Sequence, residues 1–90
     1  MNAAIDHAAD GIRVNAVCPT WVRTPMVDGE FQRNPTMTDL MKSIVPIKRI
    51  AETDEVSEVI AFLCSPAASY INGTPIMIDN GVSLMIRRNF

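Results

Sequence analysis

Apolar residues recur along this chain with two distinct spacings. Between Thr53 and Cys64, Val56, Val59, Ile60 and Leu63 fall at i, i+3, i+4 and i+7, with Glu55 and Glu58 outside the stripe. That is the spacing of a helix that buries one face. Thr53 stands where an N-cap is wanted, and Asp54 and Glu55 suit the positive end of the helix dipole. The pattern predicts a helix over 54–64, stopped by Ser65-Pro66, with its apolar stripe mainly in the core. "IRVNAVC", residues 12–18, instead packs apolar residues with few polar interruptions, as a strand covered on both faces does. After Asn72-Gly73, "TPIMID" predicts a second short strand over 75–79. Pro75 has no N–H, so it belongs on a sheet edge or at the first strand position.

The segments between are less regular. Residues Met1 to Ala9 place Ile5, Ala8 and Ala9 at helical spacing, and Gly11 supplies the left-handed residue that ends a helix. From Thr20 to about Ile50 the chain reads as irregular, broken by Pro25, Pro35 and Pro46, with one short helix over "MTDLMKSI". A long, apolar, broken connection after a strand has the character of a substrate lid. Strand, long crossover with a helix, strand is a βαβ unit with a parallel pair. The fold class is therefore α/β. Two strands and one firm helix cannot cover both faces and both edges of a parallel sheet, so exposed apolar surface is expected.

Composition agrees with a packed chain. Ninety residues fit one domain, 48% of them hydrophobic and 20% charged, which excludes a disordered chain. The formal charge of −2 is spread over both signs, without the basic cluster that tracks phosphates. Nucleic acid is not an expected partner, and Arg87 and Arg88 read as solvated tail. No apolar run reaches the roughly 18 residues of a membrane span, and the start lacks a secretory pattern. A cytoplasmic location without membrane insertion is the expectation. Cys18 and Cys64 lie far apart inside apolar runs and read as reduced, buried thiols, not as a disulfide or a metal site.

"GIRVNAVCP", then Thr24-Pro25, then "RIAETDEVSEVIAFLCSPAASYINGTPIMIDNG" resembles the C-terminal part of a single-domain short-chain dehydrogenase/reductase. The likeness covers nearly the whole chain apart from the lid and the tail, with several short motifs in the right order. It implies that residues 1–90 are a partial Rossmann fold, the C-terminal βαβ portion of a doubly wound parallel sheet that binds NAD or NADP. The activity implied is an oxidoreductase acting on a small carbonyl or alcohol substrate. In that family the loop after the sixth strand wraps the nicotinamide end of the cofactor. The backbone at its Val position bonds the carboxamide, and its Thr hydroxyl reaches the carboxamide or the pyrophosphate. Here the loop reads Pro19-Thr20-Trp21-Val22-Arg23-Thr24. The resemblance thus implies cofactor contacts at Pro19, Thr20, Val22 and Thr24. Ligands of open α/β sheets do bind beyond the carboxyl ends of the strands. Thr20 stands where the family usually has Gly, a departure that counts against any backbone conformation there that only Gly adopts cheaply and against a close approach of the cofactor.

The family's Gly-rich turn, central Ser and Tyr-x-x-x-Lys pair belong upstream of the position matching Met1. Glycines 11, 29, 73 and 81 cannot compose that turn. Tyr70 has Thr74 four residues on, where the chemistry needs Lys, and is expected to pack at the corner between helix and strand. No catalytic residue is therefore assigned, and these 90 residues alone are expected to be inactive. The alternative is a non-catalytic interaction module that pairs with a full-length relative. The resemblance also implies a homo-oligomer interface on helix 54–64 and strand 75–79.

Trp21 and Met26 are candidate substrate contacts, as are Phe31, Met37 and Met41, and a plain core role fits all of them equally well. His7 reads as a surface or packing residue near a helix end. Asn72-Gly73-Thr74 reads as a turn, not a glycosylation site. Asp79 and Asn80 read as turn chemistry at the end of the second strand.

Overall fold

The computed structural model describes residues 2–84. In chain order its elements are α1 (Asn2–His7), β1 (Ala16–Pro19), α2 (Pro25–Arg33), α3 (Pro35–Ile44), α4 (Thr53–Leu63) and β2 (Pro75–Ile78), with short 3-10 turns at Ala8–Asp10 and Pro66–Ala68. Arg87 and Arg88 lie outside the described residues.

β1 and β2 lie side by side and parallel, Ala16 opposite Pro75 and Pro19 opposite Ile78. The connection between them contains α4, which makes the expected βαβ unit. Pro75 takes the first position of β2, where its missing N–H costs no ladder bond. Gly11 ends the first helical segment at φ 76°, the left-handed position that favours glycine.

β1 is shorter than the strand expected over 12–18, and side-chain amides are the reason. The Val14 N–H donates to Asn72 Oδ1 at 3.0 Å. Asn15 Nδ2 donates to the Ile71 carbonyl at 3.0 Å, and its Oδ1 accepts from the Thr74 N–H at 3.0 Å. Asn72 Nδ2 also reaches the Ala4 carbonyl at 3.0 Å, tying α1 to the turn before β2. With one backbone bond, from the Gly73 N–H to the Val14 carbonyl at 2.8 Å, two asparagines thus do most of the work of a ladder ahead of Ala16, which apolar patterning does not reveal.

The segment expected to be irregular apart from one short helix over "MTDLMKSI" holds that helix, within α3, and a second, unexpected helix, α2. Pro25 and Pro35, read as breaks, sit at the first turns of α2 and α3, where a missing N–H is harmless and the fixed φ is already helical. Asn34 ends one helix and begins the next. In α4 the cap is Glu52, not Thr53, which is already inside the helix. The Glu52 N–H donates to the Glu55 carboxylate at 2.8 Å, so an acidic side chain in the first turn reaches back to the cap's own N–H, the returning half of a capping box.

The core is small. Met41, Val45 and Ile50 form its centre, with Trp21, Val27, Phe31 and Val82 packed against it. The radius of gyration is 16.2 Å, against about 12 Å for a closed domain of this length, so the described residues form a flat, open body. Three expectations fail for that reason. Of the α4 stripe only Leu63 is buried, and Ile60 is 44% exposed. Tyr70 stands fully in solvent instead of packing at its corner. Cys64 is exposed and Cys18 half-buried, though both are free thiols as expected. No helix among the described residues is long and apolar enough to cross a membrane.

Candidate functional site

The loop that leaves β1 is held by an isolated parallel bridge between Val22 and Ala51. The Ala51 N–H donates to the Trp21 carbonyl at 3.0 Å, and the Arg23 N–H donates to the Ala51 carbonyl at 2.7 Å. In such a bridge the bracketed residue keeps its own N–H and C=O for the opposite edge. Val22 therefore presents one donor and one acceptor side by side, away from Ala51, with no partner among the described residues.

Two residues on, Thr24 caps α2: its Oγ1 accepts from the Val27 N–H at 3.3 Å. That bond uses a lone pair and leaves the hydroxyl proton free to donate. Arg23 braces the loop from the side, with Nε 2.9 Å from Glu52 Oε1 and a second nitrogen 3.2 Å from Asp28 Oδ1. Thr20 is exposed just past the end of β1. Among the described residues only Lys48 and Asn80 are non-glycines with positive φ. Thr20 thus adopts no conformation that requires glycine, in line with the departure from glycine at that position.

A cleft of about 220 Å³ lies on the Ala51 side of this loop, at the carboxyl ends of both strands; Thr20, Trp21, Ile47, Arg49, Glu55 and Asp79 are among its walls. Its two long charged side chains neutralise one another. Arg49 grips Glu55 with two hydrogen bonds of 2.7 and 3.1 Å. The bond from Arg49, then that from the Glu52 N–H, holds the Glu55 carboxyl down to about 2; the same pairing raises Arg49. The buried Asp79 carboxylate accepts from the Ser83 and Gly81 N–H groups at 3.0 Å each, and the Ser83 bond chiefly lowers its pKa. Turn chemistry is its role, as the sequence implied. Such groups fix shape and present no poised acid or base.

The structure thus places Pro19, Thr20, Val22 and Thr24 along one loop. Trp21 turns the other way, its ring edge-on to Phe31 with centroids 6.3 Å apart and planes at 69°, and it also forms part of the cleft wall. Met26 is 75% exposed on the first turn of α2. His7 ends α1 with Nδ1 3.6 Å from the Asp10 carboxylate, away from the loop. Among the described residues no cluster of His, Cys, Asp and Glu is arranged to hold a metal ion. Ala51 is the contributor that sequence reasoning missed, because it acts through its backbone alone and carries no local signal. Asn80, read from the sequence as turn chemistry, also accepts from the Ile47 N–H, a long-range contact that the sequence does not show.

The comparisons fit this loop-and-sheet geometry. The model of the family described as enoyl-(acyl carrier protein) reductase matches residues 1–83. A short-chain dehydrogenase of Pyricularia oryzae is 48% identical over 83 residues, 92% of this chain and 30% of that protein. Among solved structures, a 4-hydroxyisoleucine dehydrogenase complexed with NADH superposes with a TM-score of 0.84 at 25% identity, over 92% of this chain and 34% of that one. A candidate 2-deoxy-D-gluconate 3-dehydrogenase of Agrobacterium tumefaciens with bound NADP gives 0.85 at 25% identity, over 92% and 33%. The chain spans about a third of the length of the relatives it matches. A parallel pair with a helical crossover, a braced loop at its carboxyl end, and family and structural matches over nine-tenths of the sequence converge: the chain belongs to the short-chain dehydrogenase/reductase family.

Proposed function

We propose that these residues form the nicotinamide-side portion of an NAD(P)-dependent oxidoreductase acting on a small carbonyl or alcohol. The observation that carries this reading is the outward N–H and C=O of Val22, held by Ala51 on one side and followed by the free hydroxyl proton of Thr24. A primary carboxamide has one acceptor oxygen and a donor NH2 group, and an adjacent N–H and C=O on one edge complement it as two parallel bonds. Thr24 then donates to the carboxamide or to the pyrophosphate. Pro19 and Thr20 form the floor at the strand end. NAD and NADP, when bound, supply the hydride-transferring ring; the loop's part is to orient it. The relatives solved with NADH and with NADP support either cofactor.

In this reading α2 and α3 form the lid over the substrate, with Met26 on its exposed first turn and Trp21 anchoring the lid to the core. A second copy is proposed to pair along the outer edge of β2 and the exposed side of α4. Met77, Ile60 and Phe62, each about half exposed, supply its apolar surface.

The test is amide NMR during titration with NADH and, separately, with nicotinamide mononucleotide. Binding is expected in the millimolar range, with the Val22 and Thr24 amides shifting most. Saturable binding that leaves both amides unmoved, or no binding at several millimolar, would refute the assignment of this loop.

A further inference from the structure

We infer that Asn80 is a positioning residue that latches the lid's return segment to the end of β2. This goes beyond the cofactor loop, although the word lid rests on the reading of α2 and α3 given above.

The segment 45–50, the first part of the connection from α3 to α4, sets where the lid comes back to the sheet. Its two ends are sunk in the core at Val45 and Ile50, which are 5% and 3% exposed. Its middle protrudes: Ile47, Lys48 and Arg49 are exposed. Lys48 turns the chain with φ at 62°, and its N–H donates to the Val45 carbonyl at 2.9 Å. A tight turn between two anchors still has freedom to tilt. Arg49 ties the far side of the turn to Glu55 on α4, and the Ile47 N–H ties the near side to the strand end by donating to Asn80 Oδ1 at 2.9 Å, across 33 positions of sequence.

Asn80 is able to do this because of its own backbone. It follows β2 directly with φ at 52°, a left-handed conformation that asparagine tolerates better than most side chains. Asp79, buried beside it, fixes that corner by accepting from the Gly81 and Ser83 N–H groups. The oxygen of Asn80 is thereby aimed from a rigid strand end at the one hinge amide that faces it. Asn80 and Ile47 both line the cleft behind the cofactor loop, so the latch also closes one side of that cleft.

Glycine and aspartate separate the two properties of the residue. Asn80→Gly keeps the left-handed backbone and removes the acceptor; Asn80→Asp keeps an acceptor oxygen in place. Hydrogen exchange of the chain, read by mass spectrometry with residue-level fragmentation, together with the rate of tryptic cleavage after Lys48, tests the idea at micromolar concentration. In Asn80→Gly the Ile47 amide is expected to exchange about 3–10-fold faster, the range set by the net worth of one hydrogen bond. Cleavage after Lys48 is expected to rise with it, while α4 amides stay unchanged. Asn80→Asp is expected to restore both. Unchanged Ile47 exchange in Asn80→Gly, equal losses in the glycine and aspartate variants, or acceleration spread evenly over α4 would each overturn the latch. NADH titration of the same samples reports on Val22 independently, so loss of cofactor binding and loss of the latch are separate results.

Discussion

Ala51 brackets Val22: its N–H and C=O close on Trp21 and Arg23, leaving the polar groups of Val22 on the free edge of the loop. A residue with no functional side chain thereby sets the orientation of the two groups proposed to meet the cofactor. Replacing Ala51 with proline removes the donor to Trp21 without adding charge. The expected result is a loss of about 1–3 kcal/mol, the cost of an unmet backbone hydrogen bond, with a red shift of Trp21 emission as the loop loosens. Ala51→Gly keeps the N–H and is expected to leave the emission maximum in place. Denaturant melts followed by fluorescence check both.

Thr24 carries a structural and a proposed binding role, and two substitutions separate them from a mere change of size. Thr24→Ala removes the cap on α2, worth about 1 kcal/mol, and is expected to lower the melting temperature by roughly 4–8 °C for a domain of this size. Thr24→Ser retains both the cap and the hydroxyl proton. It is expected to recover most of the melting temperature and the NADH-induced shift at Val22; a serine variant that melts like the alanine one would argue against the cap.

Stability at low pH follows from Glu55. Its folded-state carboxyl titrates at about 2 against an ordinary value of 4.5. A carboxyl depressed by folding stabilises the native state above its unfolded value, and that contribution is lost as pH falls through the folded one. The stability curve is therefore expected to drop between about pH 4.5 and pH 2, with Asp79, also lowered from 3.8, adding to the drop in its acid part. Glu55→Gln is expected to flatten the upper part of this window. Urea melts at several pH values measure it, and an unaltered pH profile in the glutamine variant would remove Glu55 from the account.

The 90 residues by themselves are expected to show no dehydrogenase turnover. Hydride transfer needs a general acid or base at the carbonyl oxygen, typically about 10²–10⁴ in rate. It also needs a cofactor fixed at near-attack distance, worth roughly 7–11 kcal/mol of barrier. The loop is proposed to meet one end of the cofactor only, and millimolar binding at that end does not fix the ring at the distance hydride transfer needs. Turnover on a panel of ketones and alcohols that disappears in Thr24→Ala would contradict this.

Exposed apolar surface gives a further expectation. Ile5, Ile60, Phe62 and Met77 stand in solvent on a body whose core is built from few side chains, and the outer edge of β2 has no strand beside it among the described residues. The purified chain is expected to bind a hydrophobic dye and to self-associate. A soluble monomer with a sharp, reversible, dye-free melt would contradict that.

Periodicity alone determined α4, the parallel β1–β2 pair joined across it, the place of Pro75 and the stop at Gly11, because each depends on residues near one another in sequence. Short motifs in their order determined the family, and with it the loop from Pro19 to Thr24. Local backbone chemistry outside the apolar pattern, and tertiary structure, decided the rest. Pro25 and Pro35 became helix starts because the missing N–H falls where no bond is made. The first strand shortened because Asn15 and Asn72 side chains replaced most of its ladder. Thr53 yielded its cap to Glu52, whose N–H meets the Glu55 carboxylate that Arg49 holds in place. Trp21 turned toward Phe31 while Val22 turned outward, because Ala51, far along the chain, accepts and donates on one side of the loop only. Contacts between distant backbone groups leave no periodic trace in a sequence, and they decide which way a loop faces.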